Sequence, residues 1–330
     1  MVFDVVLRTM ALFFLILAVG FVAGKVGVIK RDFLPEFARL ITKVLLPCLI
    51  FHATVTGCTR QAMAENLPMI GLAATFYAVV SLVMLLLVKL MRLPAEQGHV
   101  FMFCFMFCFI FGNTGFIGIP LLSTVFPGTG LLYMALFSIV DTLVFWTFGI
   151  WLATPRSRRG APFEMSDTKG GSVHSFRNMA KNAVRALLTP NIVAIVLAFA
   201  FVLTEAPLPS LIGDVLDTVS SATSAMCMIY LGALLCFSNL TEVLKRREVY
   251  AGIALKMVAL PCAIALILSQ APLPADMVTA ITLIAALPTM TIVPMIVAQR
   301  GPHGDYAAGI TATTLEFSLI TIPLVAFLAL

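Results

Sequence analysis

The hydrophobic pattern of this chain consists of long apolar runs separated by short polar segments. Ten runs have a length close to or above that of a helix that crosses a bilayer, which is about 20 apolar residues. They cover residues 3–23, 36–56, 68–90, 98–126, 130–153, 189–204, 211–236, 248–269, 276–299 and 305–329. The pattern therefore predicts an all-α polytopic membrane protein with ten transmembrane helices, of which the sixth is short.

The composition supports this class. Hydrophobic residues make up 61% of the 330 residues and charged residues 11%, whereas soluble domains carry about 25% charged residues. Most of the seven cysteines lie in apolar runs, where cysteine packs as a small hydrophobic side chain. Neither the cysteines nor the four histidines have the spacing of metal ligands. We expect no metal site and no cofactor.

One long polar segment divides the chain into two halves. Residues 154–188 are rich in Arg, Ser and Gly and read as a linker. The first five-helix repeat then covers residues 1–153 and the second covers residues 189–330. Because each half holds an odd number of spans, the two halves enter the membrane from opposite sides, as in transporters built from inverted repeats.

The basic residues predict the orientation of the spans. Of the 21 Lys and Arg, all except Arg8 and Arg60 lie nearer the side that carries the 154–188 linker. The positive-inside rule makes that side cytoplasmic and leaves both termini outside. The net charge of +5 thus reflects topology and lipid contact, and we expect no nucleic-acid partner.

The fourth run contains a segment that cannot remain a regular helix. Residues 111–120 include Gly112, Asn113, Gly115, Gly118 and Pro120. Glycine weakens helical order and proline removes a backbone donor. The freed amide and carbonyl groups have no partner in lipid, so the break must lie against protein or a polar cavity.

The second half repeats this feature in the ninth run, where residues 286–294 include Pro288 and Pro294. Aligning Pro120 with Pro294 brings Asp141 of the fifth run within one residue of Glu316 of the tenth. In inverted-repeat transporters, two such breaks meet near the midplane and form the substrate site. The amino ends of the half-helices there attract anions. The sequence therefore predicts that spans four and nine are broken, cross, and bind cargo.

The residues of the two breaks are the candidate substrate-binding residues. The set comprises Asn113, Thr114, Gly115, Gly118, Pro120, Pro288, Thr289, Thr291 and Pro294. Asn113 offers an amide to substrate, or else it only caps the half-helix. Gly115 and Gly118 are expected to permit close backbone approach. The threonines supply hydroxyl groups, although threonine often bonds back to its own helix.

Three charged residues within the runs are candidates for ion coupling. Asp141 and Glu316 lie near the middle of their spans, where a carboxyl group is costly and is by default functional. Each is a candidate proton carrier, or a structural carboxyl bonded to nearby Ser and Thr. Lys256, in the eighth span, either balances an anionic substrate, pairs with one of these acids, or extends to the interface.

Several of these segments resemble the auxin efflux carrier family, in its bacterial form, over nearly the whole chain. The resemblance is carried by residues 46–51, 113–122, 285–288, Thr313, Thr314 and 321–324. It implies ten helices in two inverted repeats, a plan shared with bile acid:sodium symporters, with spans four and nine crossing at their prolines. It also implies a scaffold of spans one, two, six and seven and a moving group of the others. Known substrates of the family are organic anions, namely auxin in plants and malonate or malate in some bacteria.

The sequence thus predicts a secondary active transporter of a small organic anion in the bacterial inner membrane, working by elevator-type alternating access, and no enzyme. Expected partners are the anion, membrane lipid, a coupling proton or sodium ion, and a second copy in a homodimer. A sodium-coupled organic anion symporter of the bile-acid type is one alternative. A channel, and an intramembrane enzyme using Asp141 and Glu316, are the others.

Overall fold

The computed structural model of the protein describes residues 2–57, 59–91, 98–153, 190–205, 208–237, 243–300 and 303–329. These residues are helical nearly throughout and form no β-strand. In chain order the helices are α1 (Val2–Lys25), α2 (Arg31–Thr56), α3 (Arg60–Leu90), α4 (Gly98–Ile110), α5 (Thr114–Val125), α6 (Thr129–Gly149), α7 (Pro190–Thr204), α8 (Ser210–Cys236), α9 (Arg247–Leu268), α10 (Ala275–Ala285), α11 (Val293–Arg300) and α12 (Gly304–Ala329).

Among the described residues, seven helices are long and apolar enough to cross a membrane: α1, α2, α3, α6, α8, α9 and α12. An all-helical chain with seven candidate spans is a polytopic membrane protein, as the hydrophobic pattern predicts. The remaining predicted spans are shorter helices. The fourth and ninth are each divided in two, and the sixth, α7, has 15 residues. The predicted linker, 154–188, lies outside the described residues.

The helices α1, α2, α7 and α8 form one packed group, in which α1 lies along α8 and α2 lies against α7 and α8. The contact between α1 and α8 is close because glycines face backbone across it. A Cβ atom on Gly20 would lie 2.1 Å from the carbonyl oxygen of Ile229, and one on Gly232 would lie 1.9 Å from that of Leu17. Small residues of this kind let membrane helices approach until their backbones touch.

The other helices pack into a second group around α4. In this group α3 contacts α4 and α6, α9 contacts α10 and α12, and α11 contacts α12. Residues 104–110 of α4 are all apolar and all buried, as expected for a helix that is hydrophobic on every side. Its ring side chains Phe105, Phe107 and Phe109 are at most 1% exposed. A Cβ atom on Gly252 of α9 would lie 2.6 Å from the ring of Phe109, so glycine is needed there.

Prolines within the spans coincide with local widening of the helix. Pro47, Pro120 and Pro261 each follow, two residues later, a π-type turn. Proline donates no hydrogen bond, so an upstream carbonyl group loses its usual partner and can accept from a residue five positions later. One of these turns, Ala254–Ala259, contains Lys256, and another begins at Thr114.

Candidate functional site

The fourth span is interrupted between α4 and α5. At this interruption, the first break, Asn113 makes the hydrogen bonds that begin the next helix. Its side-chain Oδ1 accepts a hydrogen bond from the Phe116 N–H at 3.2 Å. Its backbone carbonyl accepts from the N–H groups of Ile117 (3.2 Å) and Gly118 (3.0 Å). Asn113 therefore caps α5 in the manner preferred by asparagine, and the bond to Gly118 creates the wide first turn.

The ninth span is interrupted between α10, which ends at Ala285, and α11, which begins at Val293. This interruption is the second break. The two interruptions pair with each other. The Asn113 N–H donates to the Pro288 carbonyl at 2.7 Å, and the Met290 N–H donates to the Phe111 carbonyl at 3.0 Å. These bonds form a short antiparallel bridge. Each break thus satisfies main-chain groups that the other frees, which lipid cannot do.

Asp141 of α6 holds the first break in place. Its carboxylate accepts a hydrogen bond from the Thr114 hydroxyl at 3.0 Å and another from the Tyr77 hydroxyl of α3. Asp141 is 5% exposed and Thr114 is also 5% exposed. The carboxylate therefore lies at the amino end of α5, where negative charge is favourable. Sequence reasoning did not single out Tyr77, whose one signal was a hydroxyl group inside an apolar span.

The second break is held by α9 and α12. The Lys256 ammonium donates to the Leu287 carbonyl, and the Thr314 hydroxyl accepts from the Thr289 N–H at 3.1 Å. Thr314 was not among the predicted site residues, although it belongs to the segments that carry the family resemblance. Its neighbour Glu316 is only half-buried and makes no hydrogen bond or ion pair among the described residues. Thr314, and not Glu316, thus contacts the second break as Asp141 contacts the first.

The place where the two breaks meet, called the crossing below, contains buried polar groups that make no hydrogen bond within the described residues. In the part of the chain that the structure describes, Asn113 Nδ2 and Thr289 Oγ1 are buried and have no hydrogen-bond partner. Unpaired buried groups cost about 1–3 kcal/mol each, so they are rarely kept without a purpose. The capping interpretation of Asn113 is compatible with substrate contact, because the cap uses Oδ1 and leaves the amide donor free. Thr291 is also buried, with 8% exposed.

The glycines of the first break differ in how tightly they are packed. A Cβ atom on Gly118 would lie 2.9 Å from Leu287 Cδ1, and one on Gly112 would lie 3.2 Å from Leu287 Cβ. On Gly115 it would meet Leu46 Cδ1 alone, at 3.5 Å, which is ordinary contact. Close approach of the two breaks therefore depends on Gly118 and on Gly112, a residue that sequence reasoning left out of the site.

The prolines bracket the two breaks. Pro120 and Pro288 are buried, and Pro294, in the first turn of α11, is half-buried. Pro288 offers its carbonyl to Asn113 and has no N–H of its own to satisfy. Pro120 lies at the start of a regular helical segment, where the missing N–H costs little.

A cavity of about 390 Å³ lies between the two helix groups, at the end of the molecule where α2 ends and α8 begins. Its walls carry the side chains of Thr56, Ser123 and Ser220, among others. His52 Nδ1 of α2 lies 3.9 Å from Asp217 Oδ1 of α8 in this wall. The two groups are thus separated by open space at this end, with both polar and apolar side chains on its walls. The described residues hold no cluster of three metal-ligating side chains.

Comparison with known proteins covers nearly the whole chain. Residues 5–326 match the family described as Membrane transport protein. No curated protein matches the chain at a significant level.

Proposed function

The chain belongs to the membrane transport protein family, that of the auxin efflux carriers, and from this premise we propose that it is a secondary active transporter of a small organic anion. One observation carries the proposal: two interrupted helices pair through their main chains and leave buried donors unused at the crossing. Such a site binds a polar ligand in a place from which lipid and bulk water are excluded.

The donors at the crossing favour a carboxylate. Asn113 Nδ2 and the hydroxyl groups of Thr289 and Thr291 are hydrogen-bond donors, and the amino ends of α5 and α11 carry partial positive charge. A mono- or dicarboxylate, either auxin-like or malate- or malonate-like, suits this set. The Thr114 hydroxyl is engaged by Asp141, so Thr114 shapes the site. Gly115, Gly118 and the three prolines set the path of the backbone.

The transport movement is an elevator-type displacement of one helix group against the other. The group of α1, α2, α7 and α8 is the scaffold, and α3–α6 with α9–α12 carry the crossing. The close glycine contacts between α1 and α8 support a rigid scaffold, and the cavity between the groups leaves the two groups apart at one end. The ten spans form two inverted repeats in a bacterial inner membrane. The termini lie outside and the 154–188 linker lies in the cytoplasm.

Coupling to a proton is the expected role of Asp141 and Glu316, and the buried Asp141 is the stronger candidate because it touches the first break. The enzyme alternative has less support. The family is a transporter family, and Asp141 bonds Tyr77 and Thr114 while Glu316 does not contact the break. The uptake assay with and without sodium, described next, distinguishes the sodium-coupled alternative.

Purified protein tests the proposal in two steps. Proteoliposomes are screened for uptake of radiolabelled malonate, malate and indole-3-acetate, with and without a proton gradient and with and without sodium. Saturable uptake of at least one acid is expected. Uptake that requires sodium would favour the symporter, and unsaturable flux proportional to voltage would indicate a channel.

Asn113 variants then locate the site. Asn113→Asp keeps the capping oxygen but lacks the amide donor, so it is expected to fold and to lose substrate binding in a thermal-shift titration. Asn66→Asp is the matched control, because Asn66 is a buried asparagine whose side chain bonds its own helix. Unchanged affinity in the Asn113 variant would remove the crossing from the mechanism.

A further inference from the structure

Lys256 is a buried cation whose ammonium group lies where the two breaks meet. Its side chain is 1% exposed and bonds the Leu287 carbonyl of the second break. A methyl group built on Gly112 of the first break would lie 3.6 Å from Lys256 Nζ. The ammonium therefore faces both interrupted segments at once. It does not extend to the membrane surface, where a lysine within a span usually places its charge.

The charges around the crossing complement the helix ends that meet there. The carboxyl ends of α4 and α10 point at the crossing, each with about half a negative charge, and the amino ends of α5 and α11 carry the opposite sign. Asp141 sits at the amino end of α5, and Lys256 sits beyond the carboxyl end of α10. Among the described residues, these two are the charged side chains that are buried.

We propose that the Lys256 ammonium is a built-in cation of the crossing, which balances the bound organic anion in place of a metal cation taken from solution. This inference rests on the proposed function and deepens it. A freed carbonyl such as that of Leu287 is the kind of ligand that transporters of this plan offer to a coupling cation. Here the carbonyl is already occupied by an ammonium that is covalently part of the protein. The cation therefore travels with the site, and sodium is not needed.

Lys256→Met tests this directly, because it keeps an unbranched chain of similar length and removes the charge. Its thermal unfolding is measured against ammonium concentration, because the ammonium ion has the size of the vacated Nζ group, and malonate affinity is measured in the same assay. We expect ammonium to raise the unfolding temperature of this variant in a saturable way and to leave the wild type unchanged. Malonate binding should weaken by about 30-fold or more, since an uncompensated buried charge remains. Lys43→Met, at an exposed lysine of α2, is the matched control.

Several results would overturn the inference. One is an unfolding temperature of Lys256→Met that does not respond to ammonium, and another is wild-type malonate uptake that requires sodium and is lost when choline replaces it. Should Lys256→Met fail to fold, Lys256→Gln decides, because it keeps a donor for the Leu287 carbonyl without the charge. Wild-type malonate affinity in that variant would also overturn the inference. A wild type that does not bind malonate would instead count against the proposed substrate, and the ammonium response of Lys256→Met would still report on the cation site.

Discussion

Replacing Gly232 with alanine should separate α1 from α8 and destabilise the scaffold. The added Cβ atom would lie 1.9 Å from the Leu17 carbonyl oxygen and 2.8 Å from the Phe21 nitrogen. Ordinary contact begins at 3.4 Å, so the helices must move apart by about 1.5 Å. Backbone atoms cannot rotate out of the way as a side chain can. Overpacking of this kind costs about 1–3 kcal/mol, and a backbone clash belongs at the upper end.

The control is Gly213→Ala in the same helix, where the new Cβ atom would meet Leu208 Cδ2 alone at 3.7 Å. Alanine is about 1 kcal/mol better than glycine inside a helix, so this variant should be neutral or slightly stabilised. For Gly232→Ala, the entropy of unfolding of a chain of this size converts a loss of about 3 kcal/mol into a fall of about 4 °C in the unfolding temperature.

Thermal unfolding of the two variants in the same detergent measures the difference. Malonate affinity should be the same in both, since neither residue touches the crossing. If Gly232→Ala unfolds at the same temperature as Gly213→Ala, the close packing of α1 on α8 is wrong, and with it the argument for a rigid scaffold.

Two further predictions concern the residues that hold the breaks. Tyr77→Phe deprives the buried Asp141 carboxylate of one donor, so the free energy of unfolding should fall by about 1–3 kcal/mol while Thr114 keeps its bond; unchanged thermal unfolding would contradict the contact. Thr314→Val keeps the side-chain volume but leaves the Thr289 N–H unpaired in the second break, and both stability and malonate affinity should fall. Normal malonate affinity in a titration of that variant would show that the second break does not need this contact.

The sequence alone was sufficient to locate most helices and both interruptions. The predicted run 211–236 corresponds to Ser210–Cys236, and 248–269 corresponds to Arg247–Leu268. These boundaries are local properties, because the length of an apolar run and the positions of its glycines and prolines decide where a helix can continue in a bilayer. The breaks at Asn113 and Pro288 are visible for the same reason.

Only the tertiary structure decided which side chains hold those breaks. Alignment of the halves matched Asp141 with Glu316, yet the second break is bonded by Thr314, and Asp141 is bonded by Tyr77, which is 64 residues away. Which face of a helix meets which neighbour depends on how distant segments pack, and the apolar pattern of a membrane span does not encode it, since lipid and protein are equally apolar surroundings. For Lys256, the sequence did not decide whether the charge lies at the membrane surface or at the crossing, and packing placed it at the crossing.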